Sequence, residues 1–148
     1  MRWHPSVTVA AVIERDGRFL LVEEESGGER VYNQPAGHWE PGETLIEACV
    51  RETLEESAHR FAPQALVGIY RWHAPNADTT FLRFTFCGTV GEADAGRALD
   101  PGILRTVWLT PQELRELAPR HRSPLVMRCA EDYLAGRRYA LDLLTHIS

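Results

Sequence analysis

Arg51-Glu52 is followed two residues later by Glu55-Glu56, inside a segment that reads GETLIEACVRETLEESAH from Gly42 to His59. If residues 44–58 form one helix, Glu52, Glu55 and Glu56 sit at i, i+3 and i+4 and share a face. Ile46, Val50 and Leu54 advance in steps of four along a different face, which reads as the buried stripe. Three like charges on neighbouring turns repel by a few tenths of a kcal/mol per pair, so something must compensate. A hard divalent cation held by carboxylate oxygens does so. A glutamate-rich helix face taken alone is ordinarily just solvated; the surrounding spacing decides between the two.

Composition narrows the chemistry. All 16 basic residues are arginine, and the chain contains no lysine. That excludes a Walker-type phosphate loop, a lysine Schiff base and a protein-kinase site. Phosphate contacts must come from arginine, backbone N–H groups or metal. The net charge of −5 argues against a nucleic-acid-binding surface, which needs a basic footprint. Cys49, Cys87 and Cys129 are scattered without C-x-x-C spacing and read as buried reduced thiols. The start MRWHPSVTVA has no signal-peptide pattern and no stretch can span a membrane, so a cytoplasmic location is expected.

The elements that must position the glutamates follow from local pattern. Residues 7–14 and 19–24 are β-branched and aromatic runs flanking Asp16-Gly17, a two-residue hairpin signal. Pro41-Gly42-Glu43 is a turn that delivers the chain to a helix start near Thr44. Residues 65–72, 80–90 and 103–109 read as strands, with a mobile Gly/Ala/Asp-rich loop over 91–102. Thr110-Pro111-Gln112-Glu113 is a capping box opening a short helix. Ser123-Pro124 repeats the cap-plus-proline signal for a helix to Ala135, stopped by Gly136. Strands and helices in this order suit an α/β architecture with a mixed sheet between helices, and residues 1–148 are expected to form one domain.

Gly37, five residues, Glu43, seven residues, Arg51-Glu52, two residues, Glu55-Glu56: this spacing over residues 37–58 resembles the Nudix box, G-x5-E-x7-R-E-U-x-E-E-x-G-U. Six fixed positions match at fixed spacing, which displaces the solvated-face reading. Thr53, Ala58 and His59 depart from the pattern, replacing an aliphatic residue, the glycine and the last aliphatic residue. An L-residue forced to positive φ at position 58 costs on the order of 1 kcal/mol. The flanking runs Phe19-Leu-Leu-Val-Glu-Glu, Asn33-Gln-Pro-Ala-Gly-His, Phe81-Leu-Arg-Phe and Arg122-Ser-Pro-Leu-Val look like the phosphatase NudJ branch of that family.

The resemblance implies an α/β/α sandwich that hydrolyses diphosphate-containing small molecules with Mg²⁺ or Mn²⁺. It implies metal ligation by Glu52, Glu55, Glu56 and the Ala36 carbonyl, with Glu52 acting on the attacking water and Arg51 orienting the glutamates through Glu43. A later loop acid often shares the proton-accepting role, and here Glu92, Asp94 and Asp100 are equivalent candidates. The branch implies release of terminal phosphate from nucleoside tri- and diphosphates and from thiamine or hydroxymethylpyrimidine diphosphate. The alternatives are cleavage of ADP-ribose or a dinucleoside polyphosphate, cleavage of a nucleoside triphosphate to monophosphate plus pyrophosphate, or a non-catalytic nucleotide-binding module. Such modules typically lose a box glutamate, and none is lost here. Oligomeric state is open between monomer and homodimer.

Substrate contacts are expected from Arg83, which grips phosphate or else serves as an edge-strand charge. Arg122, with Arg120 and His121, precedes a helix start and forms an anion site or a simple cap. Tyr32 and Trp39, with Tyr70 and Trp72 behind them, stack on a ring or else pack.

Overall fold

The computed structural model describes residues 2–148. Its centre is the first strand, β1 (Ser6–Arg15), whose Val9–Ile13 segment is buried on both faces. A continuous apolar run of this kind is what a strand covered on both sides requires. Asp16 and Gly17, both at positive φ (52° and 76°), turn the chain into β2 (Arg18–Ser26), as the hairpin signal predicts. β3 (Glu29–Asn33) pairs with β2, and the short β4 (Ala36–His38) pairs antiparallel with the first half of β1.

Helix α1 (Leu45–Ser57) follows, then β5 (Phe61–Ala74) and β6 (Thr79–Val90), a long hairpin whose second strand runs parallel to β1. β7 (Ile103–Leu109) returns to pair with β2, and α2 (Pro111–Glu116) and α3 (Leu125–Leu134) complete the fold. The sheet order β3-β2-β1-β6-β5, with β4 on β1 and β7 on β2, is mixed. Val9, Ala11, Ile13 and Phe86 pack under α1; Val12, Phe19, Leu21 and Cys87 pack under α2 and α3. The expected α/β/α sandwich is therefore present, with one core on each face of the sheet. The three cysteines are free and buried, one in the α1 core and two in the other.

Four expectations are corrected. Ile46, Val50 and Leu54 are only half-buried; the seam of α1 that meets the sheet is Ala48, Cys49, Thr53 and Ser57. Small residues let the helix approach closely, and the Thr53 and Ser57 hydroxyls are satisfied by the carbonyls of Cys49 and Thr53 at 2.8 and 2.6 Å. The third helix spans Leu125–Leu134 with Pro124 as its cap, one residue later than the Ser123 cap expected, while the Ser123 hydroxyl still accepts from the Leu125 N–H at 3.2 Å. β5 begins at Phe61 instead of 65, since the irregular pairing at Pro63 lets a proline stay inside a strand. The 91–102 loop is anchored to α1 at two points: Asp94 N–H donates to the Ala58 carbonyl at 2.8 Å, and Asp100 N–H to the Glu55 carbonyl at 3.0 Å.

Candidate active site

A full capping box opens α1. The Thr44 hydroxyl accepts from Glu47 N–H at 3.1 Å, and the Glu47 carboxylate accepts from Thr44 N–H at 2.8 Å. This fixes the phase of the helix, and with it the direction of the glutamates three turns on. At the other end Ala58 takes the left-handed conformation (φ 61°, ψ 17°) and its N–H donates to the Leu54 carbonyl. Alanine thus does the capping that glycine does without strain. His59 is buried, its Nδ1 within 2.8 Å of the Gly91 carbonyl and its ring edge-on to Trp108.

Arg51 is the hub of the carboxylates. Its guanidinium donates to Glu43 at 2.8 and 3.0 Å, to Glu52 at 2.6 Å, to Glu55 at 2.9 Å and to the His38 carbonyl at 2.9 Å. Glu43, foremost among these partners, holds the guanidinium pKa above its ordinary value, and Arg51 in turn lowers that of Glu43. Glu56 points the other way and accepts from the Ala36 N–H at 3.0 Å. Burial pushes the Glu56 carboxyl up to about 8, and the nearby charges of Glu24, Glu52 and Asp100 add to the rise. Glu52 is raised in the same direction, chiefly by burial, with Glu55 and Asp100 adding and Arg51 opposing.

Gly37 matters here for space: a Cβ at that position would overlap the Glu52 carboxylate. Among the described residues no three acidic or histidine side chains converge into a ready cation cage. The reason lies in Arg51, which engages Glu52 and Glu55, and in the Ala36 N–H, which engages Glu56. The donor set nonetheless fits a hard cation. Buried, mutually repelling carboxylate oxygens are what Mg²⁺ or Mn²⁺ ligation uses, and positive charge there offsets the cost that raises Glu52 and Glu56.

A cleft of about 490 Å³ opens over these residues. Ala36, Glu52, Glu56, Arg83 and Arg122 of the expected set line it, joined by Glu24, Asn33, His38, Trp72 and Phe81. Arg83 is 4% exposed and donates to Asn33 Oδ1 at 2.9 Å and Gln34 Oε1 at 3.2 Å. Among the described residues it makes no ion pair, so a buried guanidinium faces the cleft without a counter-charge. Arg122 stands at the rim, half exposed, bonded to the buried Glu24 at 2.6 Å.

Glu55 and Arg51 are not among the lining residues; Arg51 is bonded to Glu55 and to two residues that are, Glu52 and His38. Of the three loop acids, Asp100 is the one whose charge reaches Glu52 and Glu56; Asp94 turns back to cap Gly96 N–H and Glu92 is exposed.

Two expected substrate contacts are corrected. Tyr32 is buried at 5% exposure beneath the Arg120 guanidinium, 5.0 Å from the ring centre, and lies outside the cleft. Trp39 also lies outside it, its indole N–H tied to the Glu43 carbonyl at 2.7 Å. Arg120 and His121 are diverted as well: Arg120 bonds Glu23, already held by Arg105, and the His121 ring bonds the Leu114 carbonyl. Only Arg122 of that triplet faces the cleft. Trp72, one of the four aromatic residues expected to stack or pack, does line the cleft, whereas Glu24 and Phe81 were missed as site residues although each carried a signal. Glu24 ends a strand run beside the box, and Trp72 and Phe81 are equidistant from the Pro75–Asp78 turn, so a hairpin there places them opposite one another.

A carboxylate helix on an α/β/α sandwich, facing a cleft with buried arginine, defines a Nudix hydrolase. The NUDIX domain family model matches residues 2–128, and the chain belongs to that family, as an enzyme acting on acid anhydrides in phosphorus-containing compounds. It is 39% identical over 140 residues to "Phosphatase NudJ" of Escherichia coli (strain K12), covering 95% of this chain and 90% of the relative. A NUDIX hydrolase from Nitrosomonas europaea of known structure is 54% identical, with a TM-score of 0.95 over 97% of this chain and 98% of that one. A MutT NUDIX hydrolase from Burkholderia pseudomallei, 19% identical, shares the fold with a TM-score of 0.74 over 88% of this chain and 98% of its own. No helix among the described residues is long and apolar enough to cross a membrane.

Proposed function

We propose that the chain acts as one cytoplasmic domain that removes the terminal phosphate, as Pi, from nucleoside di- and triphosphates and thiamine-type diphosphates. The observation that carries this is the two-poled cleft. Glu52 and Glu56 line it as one charged set, and Arg83, which among the described residues makes no ion pair, lines it as the other together with Arg122, itself bonded to Glu24. A polyphosphate chain joins the poles, with its charge divided between arginine and metal. The similarity to a phosphatase supports release of Pi over pyrophosphate.

Glu52, Glu55, Glu56 and the Ala36 carbonyl would hold Mg²⁺ or Mn²⁺, which neutralises phosphate charge and supplies a hydroxide near neutral pH. Arg51 fixes Glu52 and Glu55 in one orientation through its bonds to both and to Glu43. Glu52, raised by burial, is suited to take the proton of the attacking water, and of the three loop acids Asp100 is the one whose charge acts on it. Arg83 and Arg122 hold the phosphates that do not react, a positioning effect that lowers the barrier without new covalent chemistry.

The test is a product assay in Mg²⁺ with thiamine pyrophosphate, CTP, GDP and ADP-ribose, reading Pi and pyrophosphate separately. Pi from the first three with ADP-ribose untouched is expected. Pyrophosphate from CTP, or cleavage of ADP-ribose alone, overturns the terminal-phosphatase reading and leaves the family intact.

A further inference from the structure

The β5–β6 hairpin forms the remaining wall of the cleft, and its chemistry differs from that of the two charged poles. Trp72 and Phe81 face each other in register across the hairpin. Their rings are stacked, with centroids 5.8 Å apart and planes 18° from parallel. Both line the cleft and both are only half-buried, so the pair is packed on itself and still open to the cavity. Ala74 and Ala77 complete this wall, and neither carries a polar side-chain atom. Apart from the indole N–H, the wall offers no side-chain hydrogen bond until Arg83.

Phe81 and Arg83 are two residues apart on β6 and therefore share a face, about 6.6 Å from one another along the strand. That backbone spacing puts an aromatic ring and a guanidinium at successive inward positions of one strand, both on the lining of the cleft. The volume of about 490 Å³ lies within the range for sites of small molecules and cofactors.

We propose that the Trp72–Phe81 pair is the subsite for the organic group of the substrate, and that it takes a flat aromatic ring by stacking without reading its edge. Resting on the hydrolytic reading above, this adds the residues that hold the ring of such a substrate and the manner in which they hold it, by its face, so that purines and pyrimidines are accepted alike. Hydrogen-bond donors and acceptors discriminate between bases, whereas a ring face stacks on every base. Discrimination in this cleft falls on the phosphates and on the presence of a ring.

The test reads binding, by titration calorimetry of the full chain in Mg²⁺ with two non-hydrolysable probes, α,β-methylene-GDP and ring-free methylenediphosphonate. The wild type is expected to bind the ring-bearing probe at least about tenfold more tightly, the scale of one stacked base. Trp72→Ala should collapse that ratio towards one, and Trp72→Phe should keep most of it. Phe81→Leu, which leaves the indole without its stacking partner, provides a second variant should Trp72→Ala not fold. The α,β-methylene analogues of ADP, GDP and CDP should bind the wild type within about tenfold of one another.

An unchanged ratio in the variants, or a hundredfold preference for one base, overturns the proposal. Binding of the ring-bearing probe by a protein that releases no phosphate would sink the hydrolytic reading and leave this subsite standing. Binding of neither probe overturns both.

Discussion

Glu56 shows what one residue costs and gives. Its carboxyl is raised from 4.5 to about 8 by burial first and by Glu24, Glu52 and Asp100 after it. A raised folded-state pKa means that the folded chain holds the proton more tightly than the unfolded one. In chelator, the stability tied to Glu56 is therefore full below pH 4.5 and is lost as pH climbs through about 8. Glu56→Gln removes the buried charge but keeps the shape. Its melting temperature relative to wild type, measured in chelator, should rise by a few degrees between pH 5 and pH 8, while turnover in Mg²⁺ falls at least about a hundredfold. A melting difference flat in pH would contradict the electrostatic account, and near-normal turnover would remove Glu56 from the metal set. Helical periodicity made residues 52, 55 and 56 legible as neighbours on α1, but not which way each carboxylate turns: Arg51 holds Glu52 and Glu55, and the Ala36 N–H holds Glu56. Tyr32 and Trp39 were misplaced because nearness to the box in sequence says nothing about which way a strand or loop residue points. The aromatic pair that does line the cleft comes from β5 and β6, and only the register of that hairpin joins it.

At the scale of elements, α1 is the part whose boundaries the sequence marks best and whose packing it marks worst. The Thr44–Glu47 box and the turn at Gly42 set its start. The inner seam of Ala48, Cys49, Thr53 and Ser57 escapes a hydropathy pattern because two of its four members are polar and all are small. The far end carries stored strain. Ala58 at φ 61° costs about 1 kcal/mol relative to glycine, part of which is returned by the greater freedom glycine has when unfolded. Ala58→Gly is expected to raise the melting temperature by about 1–3 °C, with turnover essentially unchanged. Differential scanning calorimetry decides the matter. A fall of several degrees would mean that the buried methyl group contributes more packing than the strained backbone loses.

For the whole molecule, β1 carries a core on each face and is paired by β4, β6 and, at its end, β2, so the sheet is braced before any ligand arrives. This much was legible, since apolar strand runs, the Asp16-Gly17 turn and the capping signals agree on one architecture. The cleft was not, because β2, β4, β6, α1 and the start of α3 contribute to it from far apart in the chain. A site lined with repelling carboxylates is an unfavourable feature of the empty fold, and a cation binding there must return stability by mass action. Mg²⁺ at about a hundred times its dissociation constant adds about 2.7 kcal/mol, or roughly 5–10 °C for a chain of this size. Thermal scans in chelator and in millimolar Mg²⁺ at pH 8 check this; coincident curves would contradict a metal site in this cleft.

Gly37 has a genetic consequence. Its missing side chain is the room in which the Glu52 carboxylate rests, and that carboxylate is the movable end of a flexible chain. Gly37→Ala should therefore leave a well-folded, soluble protein with turnover reduced about a hundredfold, an inactive allele in which every reactive group survives. Shortening the displaced residue by one methylene gives the intragenic suppressor: Gly37→Ala with Glu52→Asp should recover activity that neither single change retains. A double variant no more active than the worse of the two singles would show that the loss at position 37 has another origin.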